Sequence, residues 1–199
     1  MAVERPELVV ADAAAWRAWL NQHHTDPAGV WLVLAKKGGA KVTELTYSQA
    51  LEEALCHGWI DGQAHRRDEL TFTQRFTPRR QRSVWSKRNT ALAERLVDQG
   101  RMQAAGVAEM DRAKADGRWK AAYAGPASIE VPPELTAALA ASPSALAMFE
   151  KLNSQNRYAI LYRITTAKRP ETKAQRIEKF VEMLAAGKTI YPQKRGQSG

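Results

Sequence analysis

Gly58, Gly100, Gly117 and Gly187 each stand directly after a run whose apolar residues recur at helical spacing. A glycine there supplies the left-handed backbone that closes a helix. A chain punctuated in this way folds as many short helices. The spacing predicts helices over about 11–24, 46–57, 86–98, 102–116 and 170–186. Asp12, Thr46 and Ser86 are the expected N-caps, and Thr46 with Gln49 forms a capping box. In the last helix Ile177, Phe180, Val181 and Leu184 form one stripe. Pro132-Pro133 and Ser142-Pro143 open two shorter helices, and Ser154 is the expected cap of a third.

Only three runs read as strands. Residues 29–35 are apolar and bounded by turn residues. Trp59-Ile60 leads into a turn or bulge at Asp61-Gly62. Residues 70–76 alternate, with Leu70, Phe72, Gln74 and Phe76 on one face, as expected of a half-exposed strand. The expected class is α+β: a small, mostly antiparallel sheet packed with helices, followed by an all-helical C-terminal region. Gly125-Pro126-Ala127-Ser128 is the best boundary. It gives an α+β part over 1–125, a helical part over 126–190 and a flexible tail over 191–199.

With 44% hydrophobic residues the chain of 199 can bury a core, and its formal net charge is +9. That balance favours acidic partners. Cys56 is the one cysteine, which excludes an internal disulfide and a Cys-rich zinc site and suits a reducing compartment. The N-terminus does not read as a secretory signal, and no apolar stretch approaches a membrane span. A cytoplasmic location, no membrane insertion, no cofactor and no metal are expected.

Chemistry-bearing residues gather between two predicted helices. Arg75, Arg79, Arg80 and Arg82 precede Trp85, and Lys87, Arg88 and Asn89 fall in the first turn after Ser86. Cations at the positive end of a helix are locally unfavourable, so an anion, internal or bound, is expected to offset them. The candidate ligand-binding residues are Trp59, Asp61, Arg79, Arg80, Trp85, Ser86, Lys87, Arg88 and Asn89. Trp59, Phe72 and Phe76 are read as core, and Trp85 as the exposed ring. Asp61 and His57 are the candidates for acid–base catalysis, although Asp61 before Gly62 suits a structural turn, with Arg79 or Arg80 as its expected partner. Cys56 is read as an inert buried thiol.

The run Ala54-Leu55-Cys56-His57-Gly58-Trp59-Ile60-Asp61-Gly62 resembles the YdeI/OmpD-associated, or bacteriocin-protection, family. So do Arg75-Phe76-Thr77-Pro78-Arg79-Arg80, Trp85-Ser86-Lys87-Arg88-Asn89 and Ala167-Lys168-Arg169-Pro170-Glu171-Thr172. His57 stands where that family commonly has an aromatic residue, and Lys173 where it usually has arginine. The resemblance implies a soluble bacterial protein linked to stress and to resistance against antimicrobial peptides. The leading expectation is a non-enzymatic protein that binds an anionic small molecule or phosphate-bearing ligand. An enzyme acting on a phosphorylated or carboxylated substrate is the alternative, and nucleic-acid binding is the third. Oligomeric state stays open.

Overall fold

A computed structural model describes residues 7–36 and 42–193. Most of the expected tail at 191–199 lies outside the described residues. Two compact units divide the chain, 1–122 and 123–199.

The first unit carries strands β1 (Glu7–Leu8), β2 (Val30–Ala35), β3 (Trp59–Arg66) and β4 (Thr71–Pro78). It also carries helices α1 (Ala13–His23), α2 (Tyr47–Cys56), α3 (Lys87–Asp98) and α4 (Ala104–Ala115). The sheet order is β1-β2-β4-β3. β1 runs parallel to β2, whereas β4 pairs antiparallel with both β2 and β3. The sheet is therefore mixed, through a two-residue strand too short to show a pattern in sequence.

β4 differs from its expected half-exposed character. It is a central strand, and Thr71, Thr73, Gln74 and Phe76 are all buried. The register of β3 shifts between Asp61 and Ala64, which is the bulge expected at Asp61-Gly62. Beyond it the strand continues to Arg66 through exposed residues that carry no apolar alternation.

One sheet face is covered by α1 and α2. Trp16, Leu20, Leu32, Leu34, Leu51, Leu55, Trp59 and Phe76 form its core. Trp16 packs edge-on to Trp59 at 6.3 Å and stacks on Trp19 at 5.2 Å. The polar ends of these rings are satisfied: Trp16 Nε1 donates to the Ala50 carbonyl (3.1 Å) and Trp59 Nε1 to that of His24 (2.7 Å). All six tryptophans of the chain lie in this unit.

Local signals set the helices. Asp12 accepts from the Ala15 amide, Ser86 from that of Asn89, and Thr46 and Gln49 make the reciprocal box. Gly58 adopts φ +75° and turns the chain from α2 into β3.

The second unit is helical: α5 (Pro133–Ala140), α6 (Pro143–Glu150), α7 (Ser154–Thr165) and α8 (Pro170–Ala185). Among the described residues it holds no strand. Its core joins Leu135, Leu139, Phe149, Ile160, Ile164, Phe180 and Leu184. Asn153, one residue before the expected Ser154, caps α7 by accepting from the Asn156 amide. Asn is as good a cap as Ser, and the two adjoin, so sequence alone leaves the register open by one.

Candidate functional site

The candidate residues divide between a buried base and an exposed lip. Trp85 is only 1% exposed. The expectation of an exposed ring fails because two partners cover it, one six residues upstream and one near the end of the unit. The Arg79 guanidinium lies 3.5 Å from the ring centroid, and Trp119 packs at 4.7 Å. Arg79 is itself 5% exposed and donates to the Val84 carbonyl (3.2 Å). Arg118 donates to the Ser83 carbonyl (2.7 Å) while its Nε holds Asp116 (2.7 Å). Two buried arginines thus pin the loop 79–86 from beneath by its own carbonyls. Arg118 and Trp119 were not candidates in the sequence reading; they lie more than thirty residues downstream, beyond the reach of local spacing.

Trp59 belongs to the other aromatic group, with Trp16 and Trp19. Ser86 and Asn89 are buried at the start of α3, and the serine hydroxyl accepts from the Asn89 amide (3.1 Å). Lys87 and Arg88 are exposed in the first turn of α3, and Arg80 and Arg82 are exposed in the loop that leads to it. The first turn of α3 contains no acid. Among the described residues none of these four cations forms an ion pair, whereas Arg17, Arg67, Arg95 and Arg101 all do.

Asp61 faces neither Arg79 nor Arg80. Its Oδ2 accepts from the Tyr47 hydroxyl at 2.7 Å. Tyr47 stands at the start of α2, whereas Arg79 packs on Trp85 and donates to the Val84 carbonyl. The Arg88 guanidinium stands 5.6 Å from the Tyr47 ring centroid, so the exposed Arg88 sits beside the half-buried pair Tyr47 and Asp61. Burial, and then the bond to Asp61, push the Tyr47 hydroxyl well above its ordinary value. It is a hydrogen-bond donor at neutral pH and not a base.

His57 is buried and occupied. Nδ1 donates to the Glu53 carbonyl (2.8 Å), and Nε2 lies 2.8 Å from the Asn21 carboxamide oxygen. Burial lowers its pKa. Its two ring nitrogens are engaged at the α1–α2 packing, and Asp61 takes a different partner. Cys56 is buried too, and desolvation pushes its thiol up to about 11, so it stays protonated and unreactive. Among the described residues no cluster of His, Cys, Asp and Glu could hold a metal, and no helix is long and apolar enough to cross a membrane.

A mixed α+β unit with a cationic lip on a tryptophan–arginine base, joined to a four-helix unit, is the class these features define. The chain belongs to the family described as "Domain of unknown function (DUF8412)", whose model matches residues 8–109, and residues 128–187 match the model described as "Bacteriocin-protection, YdeI or OmpD-Associated". The second match supports the family that the motifs resemble. It rests on the helical unit, which includes Ala167-Lys168-Arg169-Pro170, while the Gly58–Gly62 run falls within the first match. Neither the curated proteins nor the solved structures contain a match to the chain.

Proposed function

We propose that the first unit binds a phosphate-bearing or other anionic ligand at the lip formed by Arg80, Arg82, Lys87 and Arg88, and that the protein acts by binding in protection against stress or antimicrobial peptides. One observation carries the binding reading. Lys87 and Arg88 in the first turn of α3 and Arg80 and Arg82 in the loop before it are exposed, with no acid in that turn and no ion pair among the described residues. Such an end repels cations and favours an anion, which can accept both the free backbone N–H groups and the side chains. Arg79 and Trp85 fix the loop that presents the lip. The protective role is supported by the description of the matched family.

The test is a calorimetric titration of the full chain with inorganic phosphate and pyrophosphate. Binding is expected, and Lys87→Glu with Arg88→Glu should weaken it at least ten-fold while leaving the fold intact by circular dichroism. Unchanged binding in that double variant would refute the lip. Single-stranded nucleic acid is separated by salt. A surface spanning several phosphates loses orders of magnitude in affinity over a modest rise, and a small-anion site does not.

The Tyr47–Asp61–Arg88 group favours a second reading, an enzyme. Among the described residues Asp61 Oδ1 accepts no hydrogen bond, which leaves that oxygen for a substrate proton. In this reading Asp61→Asn abolishes turnover of a phosphorylated or carboxylated substrate while the melting temperature barely moves.

A further inference from the structure

Between α5 and α8 in the helical unit runs an open groove of about 810 Å³. Its floor is Ala138, Ala141, Ala174, Ile177 and Val181, residues spaced at three, four and seven along their helices. Small side chains on both walls let a third helix approach closely. The α8 wall runs from Pro170 to Glu182, about 18 Å at a rise of roughly 1.5 Å per residue. That matches about three turns of an added helix.

The rim decides the charge of the occupant. Its charged groups are Glu134, Glu178, Glu182 and Lys173. Lys173 is already spent on Glu134 at 2.6 Å. Glu178 and Glu182 are four residues apart on one edge of α8, exposed, and without an ion pair among the described residues. Like charges at that spacing repel within the helix. This edge is acidic on a chain whose net charge is +9, so the groove attracts what the rest of the surface repels.

We infer that the groove binds a cationic amphipathic helix, its apolar stripe on the alanine floor and its lysines or arginines against Glu178 and Glu182. This is the helix-in-groove mode, with anchors at i, i+3, i+4 and i+7. Lys173 is the built-in competitor, because it neutralises Glu134 at one end of the groove. The inference stands on the groove alone. The cationic lip lies in the other unit and is read out by phosphate, so either proposal can fail without the other.

The experiment uses the full chain and a fluorescein-labelled peptide of about 18 residues. Leucine fills its i, i+3, i+4 and i+7 positions and lysine the rest. Anisotropy is recorded at roughly physiological ionic strength. Saturable binding is expected. Glu178→Lys with Glu182→Lys should weaken it at least ten-fold and confer binding of the same peptide with every lysine replaced by glutamate. Lys173→Ala should tighten the lysine peptide several-fold. Should the charge reversal disturb folding by circular dichroism, Glu178→Gln replaces it, with weaker binding expected. Absence of saturable binding, or equal binding by the reversed variant, overturns the inference. So does a sedimenting dimer of the wild type that Ala138→Arg dissolves, because a second copy would then fill the groove.

Discussion

Glu53 is the residue on which the first unit's charge balance turns. It is 2% exposed on α2, yet ionised. Burial opposes its charge, but Arg17 grips both oxygens at 2.7 and 2.6 Å and Arg101 adds a third bond at 2.6 Å. The net effect holds its carboxyl below the ordinary value of 4.5. A depressed carboxyl contributes stability that is complete above its unfolded value and is lost as the pH falls through the folded one. Acid unfolding should therefore begin below about pH 4.5, and Glu53→Gln should flatten that limb. At neutral pH the same variant should cost about 3 kcal/mol, the low end for a broken buried pair, because both arginines can reach water. Denaturant melts at pH 7 and pH 4 measure both effects. The sequence carried Asp61 as a candidate but not its partner. The Tyr47–Asp61 bond joins the start of α2 to β3, and the packing of α2 against β3 brings them within reach. Trp85 misled for a related reason. A tryptophan among arginines reads as a wet stacking ring until Trp119 and Arg79 are seen to enclose it.

At the scale of elements, what was legible is what local chemistry determines. Asp12, Thr46 and Ser86 cap where their hydroxyls and carboxylate fall three residues ahead of a free amide, and glycines close helices where φ is positive. What was not legible is set by neighbours: the buried threonines of β4, the polar extension of β3 and the two-residue β1. The contact between α2 and α4 is of this second kind. At Gly106 a Cβ would lie 2.3 Å from the Cys56 carbonyl oxygen and 2.8 Å from that of Leu55. Those are backbone atoms held by the end of α2, and one of them accepts from the Gln103 amide at 3.0 Å. Gly106→Ala gains about 1 kcal/mol of helix propensity. The overlap should cost more, typically 1–3 kcal/mol for an overpacked core and higher here because backbone must move. The expected outcome is a lower melting temperature from a substitution that propensity alone would favour, read by differential scanning calorimetry.

Over the whole molecule, the two units have separate apolar cores. We expect the segment 123–199, expressed alone, to melt cooperatively in far-ultraviolet circular dichroism. Its stability should be modest, about 3–5 kcal/mol, as for a single core of that size. A gradual, non-cooperative loss of helix would show that it depends on the rest of the chain. The uneven distribution of indole rings makes the intact protein its own instrument. Every tryptophan reports from the first unit, while helical ellipticity draws on both. Emission excited at the red edge of indole absorption comes from the first unit alone, because residues 123–199 contain tyrosine and phenylalanine but no tryptophan. An unfolding curve followed by both signals therefore separates the units without a label or a cut. Coincident transitions mean one cooperative body, and a gap between them measures, in denaturant concentration, how much each unit stands by itself.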